Sequence, residues 1–221
     1  GYLIGGIPNN LSQGARFTDS PWFIIEGDEY DTAFFDKRSK FIHYLPEIGV
    51  INNLEFDHAD IFENLDAIKK SFAHFIRLIP RNGLLLGNGD DLNLAPLLNV
   101  THCPVKRFGL GESNAIEAFN IRYGPTATEF EIPSFKFHLN LVGELNVRNA
   151  LAVIGLWIAL ALIFVALLAD VLANDTPYYI VYQGRRYFPL LQSGLHSLGL
   201  VTLPPELQPV DFTQLPAARV L

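Results

Sequence analysis

Apolar and polar positions divide the chain into two textures. Up to about Ile154, short apolar runs alternate with polar, Gly- and Pro-containing breaks. LIGGIP, WFIIEG and IGVINN are such runs, bounded by Gly, Pro, Asn and Asp, and they predict buried strands. Between Ala59 and Ile79 apolar residues recur near helical spacing (Ile61, Leu65, Ile68, Phe72, Phe75, Ile76, Ile79), which predicts a helix. Pro80 stops it and Asn82-Gly83 supplies the turn. GLLLGNGDD reads as a further strand ending in a polar loop. Residues 104–142 look β-rich, with EFEIP and FKFHLNLVG as strands, and GELNVRNALAVI opens a helix. Strands alternating with helices predict an α/β fold, a mostly parallel sheet with flanking helices. In such a fold, ligands gather at the carboxyl ends of the strands.

From Ala150 to Ala169 the alternation stops. The run ALAVIGLWIALALIFVALLA holds no charge and no strong polar group. Its length, about 30 Å as a helix, matches a bilayer-spanning segment; a fully buried core helix is the alternative. From Leu191 onward the chain carries LPPELQP and QLPAARVL, a Pro-rich tail expected to be extended. Three regions follow: 1–154, 155–191 and 192–221.

Composition narrows the classes. Hydrophobic residues make up 49%, enough for a sizeable core. A net charge of −7 argues against general nucleic-acid binding, which needs a basic surface, but leaves room for a nucleotide held by local donors and a metal. The single Cys103 excludes an internal disulfide, suits a reducing compartment, and reads better as core filler than as a nucleophile. The chain has no Met and starts at Gly1 inside an apolar run, so we expect a fragment whose beginning is missing.

Candidate chemistry sits at strand ends. Glu26, Asp28, Glu29 and Asp31 follow one apolar run; Glu55, Asp57, His58 and Asp60 follow another. Two acidic clusters, one with a His, could hold a divalent cation beside phosphate, since magnesium prefers oxygen ligands. Strand-end capping and solvated loop charges are the competing account.

The longer strings resemble a known family. IEGDEYD, followed by DTAFFDKRSKFIHY and NNLEFDHADIF, with GGIPNN upstream and GELNVRNALAVI downstream, is similar to the central domain of the Mur ligases over residues 1 to about 154. Within the family, the strings are most like the murein peptide ligases of peptidoglycan recycling. The resemblance implies a cytoplasmic ATP-dependent ligase with Mg2+. Such an enzyme phosphorylates the carboxylate of UDP-N-acetylmuramate to an acyl phosphate, which the amine of a murein tripeptide then attacks to give an amide.

The resemblance also implies site residues. Glu26 falls at the family's metal-binding Glu, with Gly27 where Ala is usual, and would bind magnesium. His58 falls at the family's His of the Asp-His pair and would support a second metal or the acyl phosphate. Both are catalytic candidates. Asn53, at the strand end before it, would orient these groups. Asn9 and Asn10, after Gly5-Gly6, fall in the substrate-facing loop, although a plain tight turn accounts for the glycines equally well. Asn146 and Asn149 match the family's paired adenine-reading Asn residues, with Leu145 in place of the usual His. An N-cap is the other reading of Asn146. Lys37, Arg38 and Lys40 either face an anionic substrate or form a solvated face.

The family's P-loop, a Gly-rich turn ending in Gly-Lys-Thr/Ser, is not in this sequence. The uridine-binding and peptide-accepting domains are likewise expected to be missing. From Gly155 to about Leu191, GLWIALALIFVALLADVLANDTPYYIVYQGRRYFPLL resembles the start of a peptide ABC transporter permease: a first transmembrane helix and the segment after it. The junction of two unrelated genes would explain both resemblances. The expected function is therefore an amide-forming ligase fragment, inactive alone. The alternatives are a membrane-transport fragment contacting the inner membrane through 150–169 and a non-catalytic nucleotide-binding remnant.

Overall fold

The structure, a computed structural model, describes residues 1–7, 9–57, 59–168, 179–182, 185–197, 199–200 and 202. Its contacts separate Gly1–Trp157 from Ile158–Leu221.

The first unit opens with three two-residue strands, β1 (Tyr2–Leu3), β2 (Ala15–Arg16) and β3 (Ile24–Ile25), in the order β2-β1-β3. β1 runs antiparallel to β2 and parallel to β3. The expected LIGGIP and WFIIEG strands are thus shorter than predicted, and Ile24 is exposed. A hairpin follows, β4 (Asp31–Ala33) and β5 (Asp36–Ser39), with Phe34 and Phe35 at its exposed tip. A 3₁₀ turn over Lys40–His43 then buries Phe41 and Ile42.

The main sheet comprises β6 (Ile48–Ile51), β7 (Leu84–Asn88), β8 (Val105–Gly109) and β9 (Ile116–Glu117), in that spatial order and all parallel. Parallel neighbours need a crossover, and between β6 and β7 it is helix α1 (Leu65–Leu78). α1 starts six residues later than the apolar spacing predicted. Asn64 caps it, its side-chain oxygen accepting from Ala67 N–H at 3.0 Å, which leaves Ile61 in the preceding turn. The expected stop holds: Ile79 is extended, and Gly83 N–H donates to Pro80 O at 2.8 Å.

Side chains alternate across a strand, and β7 shows what this builds. Leu85 joins a core with Ile68, Phe72 and Ile76 of α1, which also contains Cys103. Leu86, its neighbour, joins a second core with Phe108, Ile116, Val147 and Leu151. The last two belong to helix α2 (Glu144–Leu167). Apolar packing on both faces is what a fully parallel sheet requires. An antiparallel sheet of β10 (Phe119–Tyr123), β11 (Thr128–Ile132) and β12 (Phe135–Leu139) contributes Phe130 and Ile132 to the second core. The fold is the expected α/β arrangement of a mostly parallel sheet with flanking helices.

In the second unit, the last part of α2 is apolar and exposed at Ile158, Leu162, Ile163, Phe164 and Val165. β13 (Ile180–Tyr182) pairs antiparallel with β14 (Arg185–Tyr187). Helix α3 (Pro189–Ser197) follows. The start of the tail, expected to be extended, is therefore helical as far as Ser197. Pro at the first helical position pre-sets φ and loses no helix bond. The rest of the Pro-rich tail from residue 203 lies outside the described residues.

Candidate functional site

The loops after β6, β7 and β8 meet the first turns of α2. Gly143 makes the entry possible: its φ of +107° suits glycine, and its carbonyl accepts from the N–H groups of Asn146 and Val147 at 3.2 and 3.3 Å.

Two adjacent acids after β7 divide the work of joining the loops. Asp91 accepts Leu54 N–H at 2.8 Å, while Asn93 Nδ2 donates to Leu54 O at 3.0 Å, so the loop after β6 is held on both sides of Leu54. Asp90 accepts from Leu110 N–H (2.6 Å), Gly111 N–H (3.2 Å) and Asn114 Nδ2 (2.6 Å) in the loop after β8, and from Arg148 Nη1 (2.7 Å) on α2. Arg148 also donates to Asn88 Oδ1 at 3.2 Å and to Glu144 Oε1 at 2.7 Å. Burial pushes the Asp90 carboxyl up, but the hydrogen bonds from Leu110, Asn114, Gly111 and Arg148 outweigh it and hold the group below the usual carboxylate range. For Arg148, burial alone would lower the pKa; the bonds to Glu144 and Asp90 raise it instead. Gly89 is needed beside this network, because a Cβ there would collide with the buried Asn114 Oδ1.

The clamp fixes the turn of α2 that carries Asn146 and Asn149. Asn146 Nδ2 donates to Val142 O at 2.9 Å. Asn146 is the third helical residue, so it is not the N-cap. Asn52 Nδ2 donates to Asn149 Oδ1 at 3.0 Å. Among the described residues, these bonds leave complementary atoms open: Asn146 Oδ1 as an acceptor and Asn149 Nδ2 as a donor. Residues three apart are neighbours on a helix surface. Adenine offers the matching pair, the N6 amino donor and a ring-nitrogen acceptor, so this donor set fits an adenine edge. Leu145 is exposed beside them.

Asn53 lies next to Asn52, and its Nδ2 donates to Glu55 Oε1 at 3.1 Å. Glu26 stands elsewhere, on the sheet of β1–β3. Its Oε2 accepts from Gly5 N–H at 2.6 Å and its backbone N–H donates to Leu3 O at 2.9 Å. A Cβ on Gly5 would come within 3.2 Å of that carboxylate, so the glycine permits the close approach. Glu26 is exposed and, among the described residues, has one oxygen open, which fits a magnesium ion that takes one or two protein carboxylates and fills its shell with water and phosphate. Among the described residues, no hydrogen bond joins Glu26 to Asn53, Asn146 or Asn149, and no three His, Cys, Asp or Glu side chains group as a metal site. His58 lies outside the described residues. Asn9 and Asn10 are exposed on a turn after the Gly5-Gly6 bend.

The basic cluster is internally paired. Lys37 meets Asp31 at 2.5 Å, Arg38 meets Asp36 at 2.7 Å and Lys40 meets Asp28 at 2.8 Å. Arg38's hydrogen bonds hold the Asp36 carboxyl far below its ordinary value. Asp28 and Asp31 are therefore ion-paired acids rather than a carboxylate cluster around Glu26.

Asn88, Asp90 and Arg148 were missed in the sequence. Strand-end acids in GLLLGNGDD follow the pattern that singled out Glu26, and Arg148 stands between the paired Asn residues of LNVRN. Either could have drawn notice.

A four-stranded parallel sheet, packed on both faces and with polar side chains gathered at its carboxyl ends, defines an α/β domain of the parallel-sheet class. The Mur ligase middle domain family matches residues 6–157, and the chain belongs to that family. It is 45% identical over 164 residues to the UDP-N-acetylmuramate–L-alanyl-γ-D-glutamyl-meso-2,6-diaminoheptandioate ligase of Haemophilus influenzae, covering 70% of this chain and 35% of the relative. It is 41% identical over 158 residues to the Escherichia coli ligase of the same name, covering 70% and 34%. The chain thus spans about a third of the length of these curated relatives. Among solved structures, the corresponding ligase from Neisseria meningitides matches with a TM-score of 0.61 and 41% identity, over 70% of this chain and 51% of that one. A MurF ligase from Thermotoga maritima, solved in complex with ADP, shares the fold, with a TM-score of 0.55 and 16% identity over 72% and 39% of the two chains. A second family, the N-terminal TM domain of oligopeptide transport permease C, matches residues 147–192.

Proposed function

We propose that residues 1–154 form the nucleotide- and metal-facing part of an ATP-dependent ligase site that joins UDP-N-acetylmuramate to a murein tripeptide in peptidoglycan recycling. The observation that carries this reading is the open acceptor–donor pair of Asn146 Oδ1 and Asn149 Nδ2, held at the sheet's carboxyl ends by Asn52, Asp90 and Arg148. Asn146 and Asn149 read the adenine edge. Glu26 and His58 are the metal residues, Glu26 through its open carboxylate oxygen. Bound magnesium would neutralise the phosphate charge that grows as the substrate carboxylate is phosphorylated. Asn9, Asn10 and Asn53 face the substrate. The sequence holds no P-loop string to grip the phosphates, so binding without turnover is expected of these residues alone.

Calorimetric titration with ATP and magnesium tests this reading. Saturable heat is expected, weakened in Asn146→Ala and Asn149→Ala. GTP should bind worse, because guanine puts an acceptor where adenine has its amino donor. No heat at millimolar ATP, or equal binding of GTP, would sink it. Amide formation from UDP-N-acetylmuramate and tripeptide, by this unit restored within a full-length ligase, tests the substrates.

A second reading concerns 150–169. The exposed apolar half of α2 and the permease-domain match favour contact with the inner membrane, with the ligase part on the cytoplasmic side and 155–191 forming a permease-like region. Residues 192–221 are left without a role. Solubility without detergent or lipid at high concentration would count against it.

A further inference from the structure

The two family matches overlap at residues 147–157, a stretch of α2 that the first unit already uses. Val147 and Leu151 are fully buried in its second core. At Gly155 the helix lies close to its neighbours: a Cβ would stand 2.7 Å from Ile116 Cδ1 and 3.1 Å from Leu86 Cδ2. Past this point the character changes. Trp157 is 69% exposed, and Leu162 and Phe164 are exposed as well.

Helix geometry limits what a bilayer can take. The uncharged run 150–169 is about 30 Å long as a helix, the thickness of bilayer hydrocarbon. With α2 docked through Leu156, the residues from Trp157 to Leu168 reach only about 18 Å, too little to cross. We infer that α2 has two mutually exclusive uses: it completes the core of the first unit, or it spans a lipid bilayer, and no molecule does both. Lipid hydrocarbon is the occupant of the exposed half because residues 150–169 are apolar on every side. A helix lying in a protein groove would keep one polar face. The inference rests on the membrane reading of 150–169 and is independent of the nucleotide reading.

The two states place Trp157 at different depths. In a helix spanning with 150–169, Trp157 lies about 10 Å from one end and about 5 Å from the bilayer midplane. With α2 docked it sits at the interface. The test uses the full chain with Trp22→Phe, which leaves Trp157 as the sole tryptophan. Phosphatidylcholine–phosphatidylglycerol vesicles brominated at graded acyl depths report its position, and hydrogen exchange reports protection of β7 and β8. Deep quenching should come only with loss of that protection, and interfacial quenching only with its retention. Gly155→Leu should shift molecules to the deep, unprotected state, and Leu162→Arg to the shallow, protected one. Deep quenching with β7 and β8 still protected would overturn exclusivity while leaving the membrane reading intact. Absence of vesicle binding would overturn both.

Discussion

Replacing Asp90 with Ala removes the acceptor of four hydrogen bonds, two from the backbone after β8, one from Asn114 and one from Arg148. Both side chains of the Asp90–Arg148 pair are 18% exposed, so the abandoned guanidinium is poorly hydrated. Removing one partner of a buried pair costs about 3–5 kcal/mol. Glu144 remains bonded to Arg148 and is itself 55% exposed, which places the expected loss near the lower end, about 3 kcal/mol. For a unit of this size, that lowers Tm by about 6–12 °C. Denaturant and thermal unfolding of Asp90→Ala, Arg148→Met and the double variant measure the coupling, expected to exceed about 1 kcal/mol. The pH dependence has a defined sign. The folded pKa of Asp90 lies below the unfolded value of about 3.9, so its stabilisation is fully present above that value and is lost as pH falls through the folded one. Asp90→Asn should flatten the acid limb of the stability curve. Additive single and double variants, or Asp90→Ala within about 0.5 kcal/mol of the parent, would refute the clamp.

Other outcomes test the packing and the site. Leu151→Ala should destabilise the first unit by about 2–5 kcal/mol, whereas Leu162→Ala, on an exposed turn of the same helix, should change it by less than about 0.5 kcal/mol in water. Gly87→Ala should cost about 1–3 kcal/mol in urea denaturation, because its Cβ would stand 2.5 Å from Leu98 Cδ2. Glu26→Gln keeps an acceptor for Gly5 N–H but loses the charge, so ATP binding should lose its magnesium dependence while the melting temperature stays unchanged.

Local signals made part of this molecule legible in the sequence. The stripe from Leu65 to Ile76 declared α1, the run GLLLGN declared β7, and Gly143-Glu144 announced α2, because each depends on neighbouring residues alone. Placing β1 and β3 in a sheet apart from β6–β9 was beyond such reading, since β1 pairs with residues more than ten positions away. The pairing of Asp90 with Arg148 was hidden for the same reason: 58 residues separate them, and no pattern in either segment points to the other. Asn149 was singled out by resemblance, but its partner Asn52 was not, because only the register of β6 against the start of α2 brings the two amides together. The length of α2 was legible; its division between a packed half and an exposed half emerged only from burial.

In the proposed site, Asn146 and Asn149 present an adenine-reading pair. Side-chain amide NMR of the Asn residues during an ATP–magnesium titration reads that pair atom by atom. The Nδ2 resonances of Asn149 and of its partner Asn52 should shift saturably with ATP and far less with GTP. Unmoved Asn149 and Asn52 resonances at saturating ATP would contradict it.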